Sequence, residues 1–223
     1  MYEKGKEGSD EHYFSVGLQA LAIIDKARAL VNKNEVGSLL DFGCGYGRVL
    51  RFLKAYFPET NITCSEVEPT YVEYCAETFD VENFVSNTDF TKLNRDKKYD
   101  IIWSGSVFTH LSASKFEELF QYFEQSLNAG GIMVFTTHGR FCMDNLKQHG
   151  YGLSRKGKNF VRLAYQFGGY GYHDYTFAKG YGISMMKAAW LMNFLDKKTN
   201  VCLIALYEKY WDNHQDVVII QKI

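Results

Sequence analysis

Apolar positions along this chain recur with two periods that take turns. Residues 13–32 put Val16, Ala20, Ile23, Ala27 and Val31 on one stripe, the 3.6-residue repeat of an amphipathic helix. SLLDFG at 38–43 is a short apolar run of strand type. YGRVLRFLKAYF at 46–57 reads as a helix stopped by Pro58. NITCSE (61–66) is a second strand, and Pro69 opens a helix over TYVEYCAETF because its fixed φ suits the first helical position. A short strand near 82–86 leads to SNTDF, and YDIIWS (99–104) is apolar on both faces, as a central parallel strand is. Helix 113–128 gathers Phe116, Leu119, Phe120, Phe123 and Leu127 on one side, with Gly130-Gly131 expected to end it. GIMVFTT (131–137) is a fifth strand. Two last strands, near 201–207 and 216–221, bracket the turn EKYWDNHQ.

Strands alternating with helices predict an α/β fold, a doubly wound, mostly parallel sheet with helices on both faces. The segment 139–183, rich in Gly and Tyr, has no clear period. A connection that long, placed between strands, is expected to be an inserted cover over a site. With 223 residues the chain is expected to form one domain, with 1–35 as a lead and helix.

Composition narrows the classes of function. Hydrophobic residues are 46% and aromatics 16%, enough for a core. The 25 basic and 26 acidic side chains leave a formal charge of −1, so duplex nucleic acid is not an expected partner. The start, MYEKGKEGSDEHYFS, has no apolar signal core and no run is long enough to cross a bilayer. A cytoplasmic protein without a membrane partner is expected. Five cysteines without CxxC or Cys/His clustering read as free thiols, and no structural metal is expected.

The chemistry begins at DFGCGYG. Gly43, Gly45 and Gly47 are spaced GxGxG, and Arg48 stands where a dinucleotide site has its third glycine. Asp41, beside the loop, suits a cofactor carrying an ammonium group and repels a pyrophosphate. S-adenosylmethionine has that ammonium, a sulfonium and no phosphate. An acid at the end of the second strand can accept both ribose hydroxyls, as the equivalent acid does for NAD, and Glu66 lies about one βα unit after the loop. Asp89 suits the adenine amino group, with Phe90 or Val67 against the ring. Asp89 in SNTDF equally has the residue type of an Asx turn.

The chain resembles the class I S-adenosylmethionine-dependent methyltransferases in DFGCGYG (41–47), SEVEP (65–69), NTDF (87–90), YDIIWSGSVFTHLS (99–112) and LNAGGIMVFTTHG (127–139). The resemblance implies a Rossmann-like sheet of seven strands whose last strand is antiparallel. It implies that Asp41 and the loop glycines hold the methionine part, Glu66 the ribose and Asp89 the adenine, with S-adenosylhomocysteine as product. The family more often has Asp where this chain has Glu66, and Glu68 stands nearby. Ser104 to Ser106 are placed to contribute backbone near the methyl group.

Ligands of such sheets sit beyond the carboxyl ends of the strands. That edge selects His110, after the fourth strand, His138, after the fifth, and His214, before the last; a His is a candidate base because it titrates near neutrality. His110 and His138 are the catalytic candidates. His173-Asp174 in the cover could orient a substrate. SGSV replaces the (Asn/Asp)-Pro-Pro-(Tyr/Phe) signature of enzymes acting on exocyclic amines. The expected acceptor is a small molecule or glycan, methylated at oxygen, with Arg155, Lys156, Lys158 and Arg162 of the cover available for its negative charge. SVFTHL and HQDVVII look like segments of methyltransferases that modify sugars and cell-envelope glycans. The alternative is a protein that binds the cofactor without chemistry, as a regulator or assembly subunit. Arg48 and Asp41 disfavour a third reading, an NAD-dependent reductase.

Overall fold

A computed structural model describes residues 9–223; the polar lead 1–8 lies outside the described residues. Helix α1 (Ser9–Leu30) buries Val16, Ala20, Ile23 and Ala27. Then β1 (Ser38–Phe42), α2 (Leu50–Tyr56), β2 (Asn61–Glu66), α3 (Pro69–Phe79), β3 (Glu82–Val85), β4 (Tyr99–Ser104), α4 (Ala113–Ser126) and β5 (Leu127–Thr137) alternate along the chain. The chain closes with β8 (Val201–Trp211) and β9 (Gln215–Lys222). Seven strands form one sheet in the order β3-β2-β1-β4-β5-β9-β8. The first five run parallel, and β9 is antiparallel to both its neighbours.

Successive strand residues point to opposite faces, and the two faces have separate cores. Leu39, Ile101, Trp103, Val134 and Ile219 meet α1, α2 and Cys75 of α3. Leu40, Phe42, Ile102, Met133, Phe135 and Val218 meet Phe116, Leu119, Phe120 and Phe123 of α4. Strand order reverses between β1 and β4, which opens a crevice at their carboxyl ends, where the glycine loop leaves β1. All five cysteines are unpaired thiols.

The structure corrects three expectations. Helix α2 begins at Leu50, since 46–49 remain in the turn that the loop requires. The pair Gly130-Gly131 does not stop α4: Leu127 already pairs with Tyr99, and the glycines fill the irregularity before Ile132 pairs with Ile101. The residues EKYW belong to β8, which runs to Trp211.

The segment 139–183, whose sequence shows no clear period, has regular structure of its own. It folds into α5 (Arg140–Asp144), α6 (Leu146–His149), α7 (Arg155–Gly168) and a hairpin of β6 (Tyr170–Tyr175) and β7 (Ala178–Met186), followed by α8 (Ala188–Leu195). Cys142, Leu146, Leu153, Val161, Ile183 and Met185 give it its own core. Its glycines serve contact rather than looseness: a Cβ on Gly171 would stand 2.2 Å from the Val161 carbonyl oxygen, and one on Gly182 2.1 Å from that of His173.

Candidate functional site

The loop after β1 is held by β2, whose Ser65 carbonyl accepts the N–H groups of Gly43 and Cys44 at 2.8 and 3.1 Å. Gly43, Gly45 and Gly47 all have positive φ, +83°, +53° and +75°, the left-handed region that favours glycine. Their surroundings differ. A Cβ on Gly43 would stand 2.3 Å from Val107 and one on Gly47 2.4 Å from Phe79, whereas one on Gly45 would meet nothing within 4 Å. Gly43 and Gly47 therefore make room for packing, and Gly45 keeps a stretch of backbone bare toward open space.

That space is a cavity of about 540 Å³ whose wall includes Asp41, Gly43, Gly45 and Arg48 on the loop side. Trp103, Gly105, Ser106, His110 and Trp211 line the other side. Asp41 is 1% exposed, and its Oδ2 has no hydrogen-bond partner. Burial, reinforced by the charge of Glu66, pushes its carboxyl up to about 7. Glu66 Oε2 accepts the Gly45 N–H at 3.1 Å and Oε1 accepts that of Val67 at 2.7 Å. Two carboxylates thus converge on the loop, one with an oxygen left over. A cationic donor is what the arrangement lacks.

The remaining expected cofactor residues stand outside the cavity wall. Gly47 is the packing glycine just described, and Val67 is half exposed. Asp89 caps a short 3-10 turn, with Oδ1 accepting from the Thr91 N–H and hydroxyl and Oδ2 3.2 Å from Lys92 Nζ. Those bonds from Thr91, then Lys92, hold its carboxyl below the usual range. Phe90 is buried edge-on against Phe42. Ser104 is fully buried with an unpartnered hydroxyl.

The opposite wall carries the histidines. His110 Nδ1 is 2.7 Å from the Gly182 carbonyl oxygen and His138 Nδ1 3.2 Å from that of Ser184. A carbonyl only accepts, so each Nδ1 carries the proton and each Nε2 keeps a free lone pair. Burial holds His110 below its ordinary value. Burial, then the nearby His110 and His214, depresses His138 to about 3. Both rings are neutral at neutral pH. His110 lies on the cavity wall; His138 packs behind, 5.3 Å from the Tyr151 ring and 6.1 Å from His214. Gly139 must follow His138, because a Cβ there would overlap Asp216 Oδ2 at 1.7 Å. The His214 Nδ1 bonds the Asp212 carbonyl in its own turn. His173 Nδ1 bonds the carbonyl of Asp174, whose carboxylate accepts from the Tyr172 hydroxyl.

From His110 a run of rings leads outward along the hairpin. Tyr181 packs on His110 at 4.8 Å, Tyr175 on Tyr181 at 5.3 Å, and Phe177 stacks on Tyr175 at 5.1 Å and 6°. Phe177 is 77% exposed. Burial and the charge of Glu66 raise the Tyr181 hydroxyl, so this ring stands within electrostatic reach of Glu66.

Sequence reasoning missed a polar triangle at the cavity floor. The Ser106 N–H donates to Thr136 Oγ1 at 2.8 Å, that hydroxyl donates to Gln215 Oε1 at 2.5 Å, and Gln215 Nε2 donates to Ser106 Oγ at 2.6 Å. Ser106 has φ +60°, an unusual value for a residue with a side chain. Trp103 and Trp211, edge to face at 5.5 Å, complete the floor, and Trp211 Nε1 ties it to the Val16 carbonyl of α1 at 3.0 Å. Among the described residues no group of three or more His, Cys, Asp or Glu could hold a metal.

Known proteins resemble this chain in sequence and in fold. A family described as "Methyltransferase domain" matches residues 40–133. Malonyl-[acyl-carrier protein] O-methyltransferase 2 of Ilyobacter polytropus is 27% identical over 151 residues, 66% of this chain and 56% of that protein. The malonyl-[acyl-carrier protein] O-methyltransferase of Acetivibrio thermocellus is 28% identical over 112 residues, 48% of this chain and 38% of that protein. The chain thus spans about half the length of the curated relatives it matches. Among solved structures, a S-adenosylmethionine-dependent methyltransferase from Clostridium acetobutylicum superposes with a TM-score of 0.62 at 14% identity, covering 92% of this chain and 90% of that one. CalS10, an amino pentose methyltransferase from Micromonospora echinaspora, gives 0.63 at 12% identity, with 99% and 93% covered. Loop and strand order agree with the sequence match: residues 40–133 match the methyltransferase domain, and the chain has the fold of these S-adenosylmethionine-dependent methyltransferases.

Proposed function

We propose that this chain transfers the methyl group of S-adenosylmethionine to an oxygen of a small acceptor, or of an acceptor carried on a larger one, held beneath the β6–β7 hairpin. The observation that carries this reading is the orphaned, buried Asp41 carboxylate beside the bare backbone at Gly45. The residues present fit that cofactor: Asp41 would accept its ammonium group, Glu66 its ribose hydroxyls, and the glycine loop offers no phosphate cradle with a second cation nearby other than Arg48. When bound, the cofactor supplies an electrophilic methyl group on a sulfonium. The O-methyltransferase names of the relatives support oxygen as the acceptor atom.

The protein's own contribution is alignment and exclusion of water. Holding the two reactants in line is worth about 7–11 kcal/mol, whereas a base adds about 10²- to 10⁴-fold. Trp103, Trp211 and the ring path from His110 to Phe177 give the cavity apolar walls. His110 is assigned the proton-accepting role, because it is neutral, carries a free Nε2 lone pair and lies on the wall. His138, behind the wall, steadies that edge through Ser184.

Calorimetry with S-adenosylhomocysteine and with NADH tests the reading. Binding of the homocysteine product with NADH excluded is the expected result; preference for NADH would overturn it. Methyl transfer is then measured across carboxylic acids, phenols, sugars and acyl thioesters, and the absence of turnover with every class, despite product binding, would leave the non-catalytic alternative.

A further inference from the structure

A second cavity, of about 430 Å³, lies between α5–α6 and α7. Four cations line it: Lys147 from α6, Lys158 and Arg162 from α7, and Lys187 just before α8. One carboxylate, Asp144, faces them, so four positive charges against one negative leave an excess of three. The chain as a whole is nearly neutral, with 25 basic and 26 acidic residues, so this excess is local. Among the described residues none of the four cations has an ion-pair partner. Lys158 and Arg162 are also one helical turn apart, a spacing at which like charges repel.

Lys187 and the helix that carries Lys158 and Arg162 are held in place. Lys187 Nζ donates to the Gln166 carbonyl at 2.8 Å and lies over the Tyr165 ring at 5.4 Å. Helix α7 is fixed at both ends, by Ser154 accepting the Gly157 N–H and by Gly169 at φ +78°. Met143, Leu146 and Tyr165 give the same groove an apolar side. Four cations with a single carboxylate among them, beside apolar surface, match a dianion attached to carbon. A guanidinium fork with several ammonium groups suits phosphate in particular.

We propose that this groove binds the phosphate group of an organic phosphate ester and anchors the remote end of the methyl acceptor. The anchoring role rests on the methyl-transfer reading above; the phosphate site itself does not. The connection to the reacting edge is covalent and short. Helix α5 begins two residues after His138, and Tyr151, just past α6, packs on the His138 ring at 5.3 Å. The anchoring role requires an extended acceptor that runs from α7 to the His110 edge. Such a phosphate comes on a pantetheine-type arm or on a nucleotide, and both offer the same group to the groove.

The test is titration calorimetry on the full chain at low salt, with 4′-phosphopantetheine, AMP and inorganic phosphate as probes and pantetheine and adenosine as their phosphate-free counterparts. At least one phosphorylated ester is expected to bind ten-fold or more tighter than its counterpart and than inorganic phosphate, and the tighter ester identifies the source. Arg162→Glu is expected to weaken it at least ten-fold, and Lys158→Gln several-fold, with S-adenosylhomocysteine affinity unchanged in both. Equal binding of the esters and their counterparts, inorganic phosphate as the sole ligand, or wild-type affinity in a folded Arg162→Glu or Lys158→Gln chain would overturn the proposal. Failure of the wild type to bind S-adenosylhomocysteine would instead count against the methyltransferase reading alone.

Discussion

On the β1–β2 side of the cavity, Asp41 and Glu66 set two carboxylates around a loop whose N–H groups are already bound to Ser65 and Glu66. On the α5–β7 side, His110 and His138 are neutral, each tied by Nδ1 to a carbonyl of β7, and aromatic rings make up the surface. One side is short of a cation; the other presents lone pairs and apolar faces and carries no charge of its own. The difference teaches how a single cavity sorts two ligands. On the proposed reading, charge selects the donor on one side, and shape with weak basicity selects the acceptor on the other.

Removing the lone pair at the wall is the severest way to break that division. His110→Ala is expected to slow turnover by about 10²- to 10⁴-fold, the usual worth of a base, with S-adenosylhomocysteine affinity unchanged. Single-turnover kinetics beside calorimetry reads both, and an unaltered rate would return His110 to a packing role. His138→Ala should cost far less in rate, since that ring stands outside the wall.

Next is the cost of keeping Asp41 ionised without a partner. Its folded pKa of about 7 lies above the unfolded value of about 3.9. The group therefore binds a proton more readily when folded. That contribution is fully present below about pH 4 and is lost as pH rises through about 7, a change on the order of 4 kcal/mol. Asp216, raised by burial to about 6, acts in the same direction. Chemical denaturation from pH 4 to 8 is expected to show this loss in the wild type and much less of it in Asp41→Asn. Parallel pH curves for the two proteins would contradict the assignment.

The glycines sharpen the comparison at a smaller scale. Gly43→Ala would strike Val107 as well as strain φ, and is expected to cost about 1–3 kcal/mol of stability. Gly45→Ala meets no neighbour, so its stability cost is the backbone strain alone while donor affinity falls. Melting and calorimetry on the pair separate the packing glycine from the exposed one. The smallest effect expected is that of Phe177→Ala, at the outer end of the ring path. It should raise the acceptor KM by a few-fold, about 0.5–1.5 kcal/mol, and leave the donor untouched.

Legibility followed the same division. On the donor side the elements and the loop could be read, because their information is local, although the expected residues Gly47, Val67, Asp89, Phe90 and Ser104 stand outside the cavity wall. β2 and α3 fall where NITCSE and Pro69 placed them, and the glycine spacing located the loop. The acceptor side was opaque for physical reasons. Gly171 and Gly182 look like flexible loop residues, yet Gly171 lets α7 touch the hairpin and Gly182 lets β6 and β7 close on each other. Trp211 and Gln215 sat in a stretch that reads as a polar turn, although β8 and β9 run into it from both ends. Nothing in Ser-Gly-Ser announces that Ser106 will adopt φ +60° and close a triangle with Thr136 and Gln215, since that geometry depends on strands 30 and 109 residues away.

The central claim is that a lone buried carboxylate receives the cationic end of a sulfonium donor. Calorimetric titration of S-adenosylhomocysteine, which keeps the ammonium group, measures it directly when run from pH 5 to 8 on the wild type and on Asp41→Asn. Wild-type affinity should rise with pH as Asp41 ionises. The variant should bind about ten- to hundred-fold more weakly at pH 8, the range of a charge-assisted hydrogen bond, with little dependence on pH. Equal affinity in the two proteins at pH 8, or a wild-type affinity that falls as pH rises, would contradict the account.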